Sequence, residues 1–365
     1  MRTFDPSMIE IASWRHDRLQ PDVTGLLAVL RREVPARPTL FEFFLNDSIY
    51  EALTADLNYD RSDPHWTHLR LADAYRRLGY DYITVQTHDL GFPHAPSGRQ
   101  GRTTSLNAHI AIRSHGDADS YPWPDFASAA MPRLDRLRAY MAPGMGLLVH
   151  GPGGVEENLF DLLGYDQLCY LTVDDPSLID RVSSAIGERL LVYYERAAAH
   201  PAVDALIVND DWGFSEQTLL APADLRRWII PWHRRIVAAI HAAGKPAILH
   251  CCGNLAAVMD DIIDDIGYDA KHSFEDKIQP VEEAYERYHD RIAILGGIDV
   301  DFLIRRPPGE VYERACRLLE LTAATGGYAL GSGNSIPDYV PLPQYLALVA
   351  AAVFNRAATT TPGRA

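Results

Sequence analysis

A closed (β/α)8 barrel in a single α/β unit is the fold this sequence predicts, and three observations predict it. Short apolar runs recur along the chain with helical segments between them, eight runs in all. Several are continuously apolar, as in Leu206-Ile207-Val208 and Ile292-Ala293-Ile294-Leu295, the pattern of strands covered on both faces of a parallel sheet. The first run and its exit, Phe41-Glu42-Phe43-Phe44-Leu45-Asn46, contain no glycine, whereas a doubly wound sheet more often has a glycine-rich phosphate turn after its first strand.

Taken in order, residues 1–35 read as a helical lead-in, residues 36–355 as the barrel and residues 356–365 as a frayed polar tail. The strand runs are Thr39–Leu45, Asp81–Gln86, Gly146–His150, Ala205–Asn209, Ala247–His250, Ala270–His272, Ile292–Gly296 and Tyr328–Leu330. Pro222 starts a helix that Pro231 should break before it resumes toward Gly244. Asn254 reads as the cap of a helix over Leu255–Ile266, where Leu255, Val258, Met259, Ile262, Ile263 and Ile266 keep a three-four spacing and Gly267 supplies the stop. Pro308 opens a further helix carrying Val311, Ala315, Leu318 and Leu319. The apolar segment Tyr345–Phe354 reads as core, with a homodimer interface as the alternative. The insertion from Gly91 to about Pro124 carries Arg99, Arg102, His109, Arg113 and His115. In a barrel it would lie on the C-terminal face, and it reads either as a lid bringing positive charge to an anionic substrate or as a solvated loop.

Composition narrows the function classes. Of 365 residues, 34 are Lys or Arg and 49 Asp or Glu, a net charge of −15, with 47% hydrophobic and 23% charged residues; these values exclude a disordered, collagen-like or coiled-coil chain. The acidic balance argues against a nucleic-acid partner. No run reaches the ~20 apolar residues of a membrane span, and no signal-peptide core opens the chain. Four cysteines make no disulfide framework. A cytoplasmic protein acting on a small molecule is the expectation.

Polar residues gather where a barrel builds its active site, at the C-terminal ends of the strand runs. They are Glu42 and Asn46, then His88 and Asp89, then His150 with Gly151-Pro152-Gly153-Gly154 and Glu156, then Asn209, Asp210 and Asp211. His250 and Cys252, His272 and Glu275, Asp299, and Ser332 and Asn334 complete the set. A packed core would avoid so many titratable groups, because buried charge is costly unless paired. In Leu249-His250-Cys251-Cys252-Gly253-Asn254, residues two apart on a strand point the same way, so His250 and Cys252 can bind one ion while Cys251 faces the other side. Imidazole plus thiolate suits Zn2+; the competing reading is a buried histidine beside two small hydrophobic cysteines. Cys169 and Cys316 lie in helical patterns and read as core. Asp210 and Asp211 can ligate a metal, act as a general base or bind a cation, and Asp211 could instead cap a turn. The Gly151–Gly154 run lacks the Lys-Ser/Thr ending of a phosphate loop.

From Val208 to about Val349 the chain resembles the uroporphyrinogen decarboxylase superfamily. The matching pieces are Asn209-Asp210-Asp211-Trp212-Gly213, Gly244-Lys245-Pro246 leading to His250-Cys251-Cys252-Gly253-Asn254, Gly296-Gly297-Ile298-Asp299, and Gly331-Ser332-Gly333 followed by Pro337 and Pro341. The His-x-Cys pattern looks like the branch of zinc-dependent corrinoid/coenzyme M methyltransferases rather than the true decarboxylases, whose arginine-rich first-strand motif is replaced here by Thr39-Leu40-Phe41-Glu42-Phe43. The resemblance implies a (β/α)8 barrel in which His250 and Cys252 ligate zinc, with the metal holding a thiolate acceptor for methylation. It also implies a further cysteine ligand where this chain has Ser332. A set with serine there would have to recruit Glu156, Asp210 or Asp211. No Asp-x-His-x-x-Gly corrinoid motif occurs in the chain, so the corrinoid would belong to a separate partner protein.

Three readings follow. The first is a zinc methyltransferase with Glu156 joining His250 and Cys252 at the metal, and Asp210, Asp211 and Asp89 as catalytic carboxylates. In it Glu42, Asn46, His88, His150, His272, Asp299, Ser332, Asn334, Arg99 and Arg102 contact substrate. The second is a metal-independent decarboxylase or lyase in which Asp89 or Asp210 is the acid/base and the lid arginines hold carboxylates. The third is a non-catalytic ligand-binding barrel.

Overall fold

The computed structural model describes every residue except 16–19, 95–106, 108–109 and 357–365. The chain is α/β, with strands β1 (Tyr82–Val85), β2 (Gly146–His150), β3 (Ala205–Asn209), β4 (Ala247–His250), β5 (Ala270–His272), β6 (Ala293–Leu295) and β7 (Tyr328–Ala329). Their order in the sheet follows their order in the chain, and β3–β4, β5–β6 and β6–β7 pair in parallel. Helices separate successive strands. This is a TIM-barrel-like arrangement.

Seven of the eight expected runs are strands within a residue or two of their expected ends. The first, Thr39–Leu45, is not: only Leu40 bridges, to Leu330, with the Phe41 N–H donating to the Leu330 carbonyl and the Leu330 N–H to that of Thr39. On its other side, side chains of β1 take the place of a backbone ladder. The Tyr82 hydroxyl accepts from the Glu42 N–H at 2.6 Å and donates to the Glu42 carbonyl, while Thr84 Oγ1 donates to the Phe43 carbonyl. Once those groups are satisfied by side chains, no ladder forms between this segment and β1.

By contact density the chain forms two compact units, Met1–Val85 with Pro132–Leu148 and Asp269–Ala365, and Gln86–Met131 with Val149–Tyr268. In the first, the helix Leu342–Arg356 buries every residue from Tyr345 to Val353. In the second, the buried strands β3 and β4 carry the helices Pro176–Ala199 and Ile230–Ala242 against them. The latter helix is preceded by Pro222–Trp228, and the break falls at Ile229 with Pro231 in the first turn that follows, because a proline cannot donate within a continuous helix.

Two expectations need correction. The helix expected over Leu255–Ile266 is shorter and looser: the Asn254 side chain accepts from the Ala256 N–H in a turn over 256–258, regular winding starts at Met259, and Asp261–Ile266 is π-helical and stopped by Gly267. Asn offers the backbone this short alternative to a helix. Cys169 is exposed, because the helix Tyr165–Asp174 buries only Leu168. Among the described residues no helix is long and apolar enough to cross a membrane.

The last described residue, Arg356, is buried. Its guanidinium donates to the carbonyls of Pro38 and Gly79 and to Asp81 at 3.1 Å, tying the end of the last helix to the entry of β1. Arg356→Ala leaves a buried carboxylate with one partner fewer and is expected to lower stability by about 3 kcal/mol, read as a lower guanidinium midpoint with an unchanged denaturant slope.

Candidate metal centre

In the second unit the parallel pairing of β3 and β4 sets Asn209 opposite His250, so the residues that follow each strand emerge side by side. Three bonds stitch these exits together: Asp210 N–H to the His250 carbonyl at 3.0 Å, Trp212 N–H to Cys251 Sγ at 3.3 Å, and Cys252 N–H to Asp211 Oδ1 at 2.9 Å. Gly253, at φ +86°, permits the close approach, since a Cβ there would stand 2.0 Å from the Gly213 carbonyl carbon.

The result is a group of three donors. A carboxylate oxygen of Asp211, a ring nitrogen of His250 and Cys252 Sγ all lie within 4.8 Å of one another, with His250 Nε2 3.8 Å from Cys252 Sγ. It is the one such group of three among the described residues. His250 is buried while Asp211 and Cys252 are half-exposed, which leaves one side open. Cys251 is buried and outside this group, its Sγ accepting from the Trp212 N–H. One nitrogen, one sulfur and one oxygen with an open position fit the donor chemistry of a catalytic zinc site.

Asp210, one residue from Asp211, has a different environment. It is fully buried, and its two oxygens accept from the Glu156 and Glu157 N–H groups at 3.0 and 2.9 Å, from Trp212 Nε1 at 2.9 Å and from His233 Nε2 at 2.9 Å. The first two donors open the helix Val155–Leu163, whose N-terminus favours an anion. Gly154 makes the approach feasible, as a Cβ there would sit 2.0 Å from Asp210 Cγ. Glu156 does not enter the three-donor group; Asp211 stands there instead. Glu156 is fully buried with no close hydrogen bond to either oxygen, and burial together with the charges of Asp210 and Asp211, opposed only weakly by the Leu220 backbone N–H, pushes its carboxyl well above the usual range. Burial and the same two charges also raise Glu157, whose Oε2 accepts from the Gly154 N–H at 2.9 Å and from Asn209 Nδ2 at 3.3 Å.

His233 was not among the sequence candidates. It occupies the buried face of the helix Ile230–Ala242 beside Ile236, Val237 and Ile240, with Nδ1 2.7 Å from the Tyr268 hydroxyl. A histidine within an apolar stripe was the signal available. In the same unit His150 ends β2, His88 stacks on Phe126 at 5.7 Å, and Asp89 lies exposed on the loop after β1. Arg99 and Arg102, the expected lid cations, lie outside the described residues.

The remaining candidates belong to the first unit. Glu42 and Ser332 are fully buried together: the Ser332 N–H donates to Glu42 Oε1 at 2.5 Å and the Ser332 hydroxyl lies 2.7 Å from Oε2. His272 is buried with Nε2 3.2 Å from the Ser332 carbonyl, and burial pushes it down to about 3, so it is neutral. Asn46 caps the helix Asp47–Thr54 through the Ile49 N–H. Asp299 caps Val300–Arg305 and also accepts from the Asp276 N–H at 2.7 Å. With Asn334, Glu275, Lys277 and Tyr339 it lines a cavity of about 410 Å3.

The Glu42 carboxyl is pushed by burial from 4.5 to about 8. The folded chain therefore holds a proton that the unfolded chain has released, and the stability this group contributes is complete below about pH 4.5 and falls as pH climbs toward 8. Glu42→Gln should flatten that fall. In denaturation series from pH 5 to 8, the variant should gain on the wild type with rising pH by at most ~1.4 kcal/mol per unit.

With this geometry in hand, comparison with known proteins places the chain. The family model described as Uroporphyrinogen decarboxylase (URO-D) matches residues 159–353, more than half of the sequence. A uroporphyrinogen decarboxylase of Syntrophotalea carbinolica is 28% identical over 167 residues, 46% of either chain, so the match spans about half the length of that relative. The enzyme of the same name from an Anaeromyxobacter species is 26% identical over 269 residues, covering 72% of this chain and 74% of its own. Among solved structures, a methyltransferase from Methanosarcina mazei aligns with a TM-score of 0.66 at 18% identity, over 92% of this chain and 98% of that one, a likeness of fold. The sequence match and the TIM-barrel-like fold agree: the chain belongs to the uroporphyrinogen decarboxylase family.

Proposed function

We propose that the protein is a zinc-dependent methyltransferase that moves a methyl group from a corrinoid protein, or from a methylated small molecule, to a thiol acceptor. The observation that carries the reading is the convergence of Asp211, His250 and Cys252 within 4.8 Å. These residues fit Zn2+ in donor type and in charge. A carboxylate and a thiolate together offset the two positive charges of the ion, so Asp211 supplies the negative charge that a second cysteine would have brought, and Ser332 need not ligate. When bound there, zinc supplies Lewis acidity that stabilises an acceptor thiolate near neutral pH.

The chain's own groups do the rest. The Cys252 N–H donating to Asp211 Oδ1 orients that carboxylate, and the half-exposed side formed by Asp211 and Cys252 admits the acceptor thiol. Once that thiol has lost its proton to solvent, its sulfur lone pair attacks the methyl carbon, the methyl–donor bond breaks, and that electron pair leaves with the donor. The corrinoid, in this reading, arrives on a separate protein.

Metal analysis of protein purified without chelator tests this. The expected result is about one zinc per chain, lost in His250→Ala and Cys252→Ala, weakened at least tenfold in Asp211→Ala and retained in Asp211→Cys. A wild-type protein that takes up no zinc, even when zinc is supplied, overturns the reading in favour of metal-independent decarboxylation or ligand binding.

A further inference from the structure

Resting on the proposed metal centre, we infer that His233 is a positioning residue for it: held by Tyr268, it fixes the Asp210 carboxylate and thereby sets how far Asp211 reaches toward His250 and Cys252. The geometry points this way from three sides. First, Asp210 is anchored. Four N–H donors from three elements reach it, three on Oδ2 and the Glu157 N–H on Oδ1, and the residue is fully buried, so it holds the chain rather than reaching toward a ligand. Second, a carboxylate can only accept, so His233 Nε2 carries the proton in that 2.9 Å contact. The ring is held at its other end by the Tyr268 hydroxyl at 2.7 Å and packs edge-on against Trp212 with centroids 4.8 Å apart. Third, Asp211 lies between two anchored neighbours. Asp210 is held as described, and Trp212 is fixed by its indole N–H on Asp210 and its backbone N–H on Cys251 Sγ. The position of Asp211 therefore follows from that of Asp210, and groups that orient a ligand in this indirect way commonly contribute 10–100-fold in metal affinity.

The test is a double-mutant cycle read as Zn2+ affinity, by competition with a chromophoric chelator, on the intact chain. His233→Leu should weaken zinc binding by roughly tenfold or more. His233→Gln should restore most of it, since its amide can donate to Asp210 and accept from Tyr268. In an Asp211→Ala background, His233→Leu should cost little further, because the residue it positions is gone. Thermal melts of the metal-free proteins accompany each titration to separate loss of stability from loss of affinity. A His233→Leu that binds zinc as the wild type does overturns the inference, and so does an equal loss with and without Asp211. Failure of the wild type to bind zinc is a different result, and takes the metal centre down as well.

Discussion

A carboxylate buried at the end of β3 is the constraint from which the site follows. Asp210 has no access to water, and an ionised carboxylate in that position is tolerable only if protein donors replace its hydration. Meeting that demand fixes much of the second unit. The N-terminus of the helix Val155–Leu163 must come within reach, which requires glycine at 154. The helix Ile230–Ala242 must turn His233 inward, and the chain after Asp210 must fold back so that the Trp212 indole closes the shell. The pairing of β3 and β4 brings their exits side by side, and these elements fix the chain on either side of Asp211 as it leaves β3 beside His250 and Cys252.

Most of the scaffold was legible in the sequence, because its signals are local. Continuous apolar runs such as Leu206-Ile207-Val208 mark strands covered on both faces, and Pro231 announces its helix break without any help from tertiary structure. The alternation of His250, Cys251 and Cys252 likewise foretold which two side chains share a face. What escaped is non-local. Asp210 and Asp211 are chemically identical in the sequence, and only burial and partners from distant segments make one an anchor and the other a candidate ligand. Thr39–Leu45 has the composition of a strand, yet the hydroxyl of Tyr82, about forty residues on, satisfies the Glu42 amide and carbonyl. Cys169 sits in a helical apolar pattern but on a helix with a single buried residue.

Two glutamates show how far the fold goes in removing acids from water. Glu42 is met by the Ser332 amide and hydroxyl, whereas Glu156 has at most the Leu220 backbone N–H nearby and no close hydrogen bond. Each is held by burial toward its neutral form, so the large negative balance of the sequence overstates the charge that the interior carries. Ser332, placed where the family resemblance implies a sulfur ligand, is committed to Glu42 instead.

In the proposed centre an oxygen stands where the family resemblance implies a second sulfur, and this has a consequence for redox chemistry. A centre built on two thiolates can be shut by oxidation, because adjacent sulfurs close into a disulfide and release their ion. Here Cys252 is the single sulfur of the group, and Cys251, next to it in the chain, is buried with its Sγ engaged by the Trp212 N–H. The group therefore has no internal partner with which to cross-link, and its sulfur can be oxidised only by adduct formation with an outside thiol or by stepwise addition of oxygen. Its exposure to oxidation therefore runs through outside thiols and oxidants rather than through closure of a pair of ligands.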